Sequence, residues 1–123
     1  MAIGIDKTTK QNMHTKIMDA FNYQAQRAIC GNTSTHEGDL SAAKALAGMA
    51  GNAIALGQAP IEDVSTMTET LSKAWEYYVT KCNDQLNSTA NEAYYAEAST
   101  YLCDAIIALD RYAIKKGFTG PIL

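Results

Sequence analysis

Between Thr89 and Lys116 the residues Tyr95, Ala98, Leu102, Ala105, Leu109 and Tyr112 recur at alternating steps of three and four. An α-helix turns once in about 3.6 residues, so this spacing draws one continuous seam down a single side of a helix. A seam of that length is satisfied only by another helix laid along it. The stretch therefore demands helical partners, and the rest of the chain reads as their supply.

Three further segments carry the helical period. The first is expected over about 8–30, capped by Thr9 and ended by Gly31, with 32–38 as a polar loop. Its expected buried face is Met13, Ile17, Ala20, Phe21, Gln24 and Ala28, flanked by Met18, Ala25 and Ile29. Gln24, central on that face, needs hydrogen-bond partners if buried. The second segment, shorter, is expected over 40–56, capped by Asp39 or Ser41 and closed by Gly57. Its expected inner side is Ala42, Leu46, Met49, Ala50, Ala53 and Leu56, and its outer side Ser41, Lys44, Gly48, Gly51, Asn52 and Ala55. The third is expected over 60–86, with Pro60 in its first turn and Glu62 and Asp63 at the positive end of the helix dipole. Val64, Met67, Leu71, Ala74, Trp75, Tyr78, Val79 and Cys82 form its apolar face, and Tyr77 falls on the polar side with Lys73 and Thr80. The fourth is the seam itself, 89–116, opened by Ser88 or Thr89 with Glu92 as a capping box and stopped by Gly117.

Period-two alternation and hairpin turn signals are absent, and short links join the helical segments. The expected fold is all-α: an up-down-up-down four-helix bundle, one domain over 1–123, with a short second helix. An extended C-terminal tail follows, with Phe118, Ile122 and Leu123 free to dock on the bundle. A chain of 123 residues with 47% apolar content can bury a real core. A turn at Asn87 and Ser88 sets Trp75 near Tyr101, Tyr78 near Glu97 and Ala98, and Cys82 near Tyr94. It gathers Trp75, Tyr78, Tyr94, Tyr95 and Tyr101 at one end. Such a cluster is either core or, through Trp75, Tyr78, Tyr94 and Tyr101, the wall of a ligand pocket.

Composition argues against several function classes. The net charge is −3 and only two of the ten basic residues are arginines, so no nucleic-acid partner is expected. The longest apolar run, Ala45 to Ala50, is far short of the roughly 20 residues of a membrane span, so no membrane partner is expected either. Cys30, Cys82 and Cys103 form no CxxC pair, which speaks against zinc or a disulfide framework and for a cytoplasmic chain. Cys82 and Cys103 read as small core residues.

Chemistry-bearing patterns are sparse. Di-metal bundles use Glu-x-x-His pairs, and neither His14 nor His36 has a glutamate three residues before it. No phosphate loop is present, because Gly48 and Gly51 belong to a helical run without a following Lys-Ser or Lys-Thr. Cys30 and His36 lie at one end of the bundle, but no third residue is there to orient a nucleophile pair. No enzyme activity, cofactor or metal is expected.

Binding remains. Gly48 and Gly51 face outward, each weakening its helix by roughly 0.5–1 kcal/mol relative to alanine. They read either as a flat surface where another chain or ligand approaches the backbone, or as glycines tolerated in a marginal helix. With Lys44, Asn52, Ala55 and Tyr77 they make the candidate interaction surface. On the fourth helix Cys103, Ile107 and Ile114 widen the apolar arc one way, and Tyr94, Tyr101, Ala108 and Tyr112 the other. Only Glu97, Asp104, Arg111 and Lys115 form a polar stripe. The expectation is a small non-catalytic helical protein working through protein contacts and self-associating, with a protein partner of unknown identity. Inhibitor, immunity, adaptor, and viral or mobile-element accessory proteins fit this profile. The alternative is a protein that sequesters a small ligand or nucleotide in the aromatic pocket.

Overall fold

The computed structural model of the chain describes residues 6–29, 36–82 and 89–118. Four helices fill almost all of them: α1 (Lys7–Ile29), α2 (His36–Leu56), α3 (Ile61–Cys82) and α4 (Thr89–Lys116). Among the described residues there is no strand. The expected turn at Asn87 and Ser88, the end of the third helix at Leu86, and the tail beyond Phe118 lie outside them.

The helix ends show how local chemistry sets boundaries. Asp6 caps α1, its carboxylate accepting the backbone N–H of Thr9 at 2.7 Å, so Asp6 and not Thr9 is the cap. That hydrogen bond from the Thr9 amide holds the Asp6 carboxyl below its ordinary range. The Pro60 carbonyl accepts the first bonds of α3, from the amides of Asp63 and Val64 at 3.1 Å each. Glycines with positive φ, Gly57 (70°) and Gly117 (76°), stop α2 and α4. At the end of α4 the Phe118 amide reaches back to Ala113 O and the Gly117 amide to Ile114 O, both at 3.0 Å. Phe118 then docks edge-on to Tyr112 with ring centroids 6.2 Å apart. This is the Schellman geometry with its hydrophobic contact.

α2, at 21 residues, is the shortest of the four helices, as expected, but it starts earlier than residue 40. It begins at His36, so the polar stretch before Leu40 is partly helical. Asp39 is not its cap: the residue is buried within the helix and its carboxylate accepts the Tyr95 hydroxyl at 3.1 Å. A tertiary partner has taken the side chain that a cap would have used.

The helices alternate in direction, as an up-down-up-down bundle requires. α2 and α4 run parallel, joined by Tyr95 to Asp39 near one end and by the Lys116 ammonium to the Gly57 carbonyl, 3.1 Å, at the other. α3 and α4 are antiparallel: Tyr78 stacks on Tyr95, while the Tyr112 hydroxyl donates to Ala59 O, just before α3, at 3.0 Å. α1 packs on α2 and only lightly on α3, and among the described residues it makes no close approach to α4. The order around the bundle is therefore α1, α2, α4, α3. The consecutive helices α2 and α3 are diagonal rather than primary neighbours. The inward residues of α2 are mostly alanines (Ala42, Ala43, Ala50, Ala53), and small side chains let flanking helices come close.

The expected seam of α4 is buried throughout, together with Ala113. The inner side of α2 is as expected, with Met49 and Leu56 half-buried at its margin. The face of α1 is not. His14, Met18, Phe21 and Ala25 are buried, whereas Met13 and Ala20 are exposed and Ile17 and Gln24 half-buried. The helix is turned so that His14 Nε2 meets Asp63 Oδ2 at 2.7 Å, a pairing that an apolar-only reading cannot see.

Candidate functional site

The outward face of α2 forms one wall of a groove whose other wall is α4. Lys44, Ala47, Gly48 and Gly51 face Tyr101, Asp104, Ala105 and Ala108 across a cleft of about 360 Å³. Gly48 and Gly51 are exposed, and a methyl added to either meets nothing within 4 Å. The glycines thus remove side-chain bulk from the groove floor. The Lys44 ammonium lies 5.4 Å from the Tyr101 ring centre and 4.0 Å from Glu97 Oε1. Both ion-pair partners are about half exposed, so this contact contributes little to stability.

Ala108 continues the groove into a second cleft of about 470 Å³, lined by Ile54, Ala55, Gly57, Arg111, Tyr112, Lys115 and Lys116. Lys44, Gly48, Gly51 and Ala55 therefore share one continuous surface. Asn52 is exposed beside them without lining either cleft. Tyr77 does not belong with this surface. It is half-buried on α3, edge-on to Tyr78 at 5.2 Å, with the Lys81 ammonium 5.5 Å from its ring centre.

The four residues expected to wall a pocket do not converge on one cleft. Tyr78 is fully buried and stacks on Tyr95 at 6.1 Å, and Tyr94 packs half-buried on the core. Trp75 and Tyr101, each 38% exposed, point to opposite sides of α4. Trp75 lines a cleft of about 290 Å³ with Ser72, Glu76, Cys103, Ile106 and Ile107, and Tyr101 lines the α2/α4 groove. The hairpin places α3 beside α4 near the expected register, but the outward turn of Tyr101 parts the pair. Cys103 is exposed rather than in the core, because it lies opposite the buried seam of its own helix. The side chain of Cys82 and all of Cys30 lie outside what is described.

Two buried polar contacts escaped the sequence reading. At one end Asp39 receives the Tyr95 hydroxyl, with Tyr78 nearby. Burial first, and then the hydrogen bond to Asp39, push the Tyr95 phenol up to about 12. Burial and the Asp39 charge raise that of Tyr78, and burial raises that of Tyr112. At the other end His14 pairs with Asp63. A histidine held by a carboxylate is half of a general-base arrangement. Here the second ring nitrogen, Nδ1, is buried without a hydrogen-bond partner among the described residues, and none of them places a nucleophile on it. The spacing of His14, Met18, Phe21 and Ala25, steps of four, three and four, was the signal that could have placed this histidine inside.

Among the described residues, no group of three or more His, Cys, Asp or Glu side chains could hold a metal ion. No described helix is long and apolar enough to cross a membrane. Comparison with protein-family models, curated proteins and solved structures finds no match.

Proposed function

We propose that this is a non-catalytic protein that works through protein–protein contacts and associates with itself. The observation that carries the reading is the outer surface of α4. Ile107 is 44% and Ile114 71% exposed, Trp75 of α3 stands beside Ile107 on one flank of that helix, and Tyr101 of α4 lines the glycine-floored groove along the other. Single exposed apolar residues are ordinary, but several large ones gathered along one helix mark a contact surface. Inhibitor, immunity, adaptor and viral or mobile-element accessory roles all suit such a protein. A cytoplasmic setting suits the free, exposed thiol of Cys103.

Size-exclusion chromatography with light scattering tests self-association: the mass should exceed the 13.3 kDa of one chain. A monomer at every concentration removes that part of the proposal. Gly48→Leu and Gly51→Leu fill the groove while leaving helicity intact, and should impair partner binding or assembly. If both survive, the glycine face is not an interface.

A second reading, sequestration of a small anionic ligand, is favoured by one observation: Arg111, Lys115 and Lys116 line the larger cleft beside apolar Ile54 and Ala108. Its size is in the range of small-molecule sites, about 300–1,000 Å³. Thermal-shift measurement against a nucleotide panel tests it, because a ligand at 100 times its dissociation constant adds about 2.7 kcal/mol. A flat response across the panel removes this reading.

A further inference from the structure

We propose that the outer face of α4 is the interface of an antiparallel, two-fold symmetric dimer of this chain. The inference rests on the self-association proposed above and assigns it a surface. α4 carries a second seam, opposite the buried one. Ala93, Ala96, Thr100, Cys103, Ile107, Asp110 and Ile114 again alternate at steps of three and four, and all seven are exposed. The Thr100 hydroxyl is turned back to the Ala96 carbonyl of its own helix at 3.0 Å, which leaves its methyl group outward. Asp110 alone interrupts an otherwise small or apolar line. A helix with two opposed seams at this spacing is made to pack on both sides, and the bundle covers only one of them.

The charges beside this seam identify the occupant. The exposed row Glu97, Asp104, Arg111, Lys115 is acidic in its first half and basic in its second. From Thr89 to Asp104 the helix contains no Lys or Arg at all. A parallel two-fold pairing of two copies sets this row against the other flank of the partner's seam, Glu92, Ser99 and Ile106, which offers Glu97 and Asp104 no basic residue. An antiparallel pairing about an axis near Ile107 sets the acidic half of each copy against the basic half of the other. Such a surface is complementary to itself under a two-fold rotation, which is the requirement of an isologous dimer. The ion pairs fix orientation, and the apolar contacts of Ile107 and Ile114 supply most of the affinity.

Light scattering on the full chain and four variants tests the assignment, with far-UV circular dichroism as a check on folding. Every substituted side chain is exposed, so the bundle should persist. The wild type should have twice the 13.3 kDa mass of one chain, and Ile107→Glu should be a monomer. Asp104→Arg and Arg111→Asp should each weaken the dimer on the order of tenfold. The two together restore the opposite pairing and should recover the dimer. In a Cys103→Ser background, Ile107→Cys should oxidise to a covalent dimer and Ile114→Cys should not. An associated wild type whose mass is unchanged by Ile107→Glu overturns this interface but leaves self-association standing. A wild type that is monomeric throughout overturns both. Failure of the double reversal to recover the dimer, or equal cross-linking at 107 and 114, overturns the antiparallel arrangement.

Discussion

At the scale of single residues, two phenols separate what burial costs from what a hydrogen bond returns. Tyr95 and Tyr78 are both buried and stacked together, but only Tyr95 gives its hydroxyl a partner, Asp39. The Tyr78 hydroxyl has none among the described residues. Removing a hydrogen bond to a charged group costs roughly 1.5–3 kcal/mol, whereas removing an unpartnered polar atom is neutral or favourable. Tyr95→Phe should therefore destabilise the fold by that amount in urea titration, and Tyr78→Phe should leave stability unchanged or raise it. The same groups, with Tyr112, set an alkaline limit. Their folded-state pKa values lie above the ordinary phenol value near 10, with Tyr95 at about 12. A raised pKa means the folded state holds its proton more tightly, so the contribution is complete below pH ~10 and is lost as pH rises toward about 12. Circular dichroism followed against tyrosinate absorbance should show helicity falling in that window, together with ionisation of the buried phenols. Tyrosinate absorbance that rises in a single step near pH 10 for all seven tyrosines counts against the burial of these rings.

At the scale of the helix, what was legible from sequence was whatever local chemistry decides. The seam of α4, the stop at Gly117 and the outward placement of Gly48 and Gly51 follow from period and turn chemistry, and the structure has them. The start of α2 and the face of α1 depended on Asp39 and His14, whose partners Tyr95 and Asp63 lie 56 and 49 residues away in the chain. Spacing alone can place His14 on the inner face of α1, but no local pattern encodes its pairing with Asp63 or that of Asp39 with Tyr95. The candidate surface fared similarly: Lys44, Gly48, Gly51 and Ala55 share a helix face and stay together, whereas Tyr77 was joined to them only by being called exposed. Four glycines give this distinction a measurement. Gly57 and Gly117 hold positive φ, which a Cβ resists, so alanine at either should cost about 1 kcal/mol. Gly48 and Gly51 sit inside a helix with open space around them, so alanine at either should add about 0.5–1 kcal/mol. Thermal denaturation of the four single variants should divide them two and two. Destabilisation by Gly48→Ala or Gly51→Ala would contradict the open groove.

At the scale of the whole molecule, helical periods establish that four helices bundle but not which are neighbours. Each helix has a face, and the circular order follows from how those faces match in three dimensions. The order found here, α1, α2, α4, α3, has an energetic consequence. α4 packs extensively on both α2 and α3, while α1 leans on α2 and meets α3 only lightly, with the His14–Asp63 pair among those contacts. Local opening is easiest where tertiary contact is least. Peptides from α1 should therefore exchange their amide hydrogens faster than those from α3 or the buried seam of α4 in native-state mass spectrometry. Asp63→Asn weakens the link from α1 to α3 without disturbing the contact between α3 and α4. It should accelerate exchange in α1 and leave the exchange of α4 unchanged. Uniform acceleration across all four helices would instead mean that the bundle opens as one unit, with α1 as firmly held as the rest.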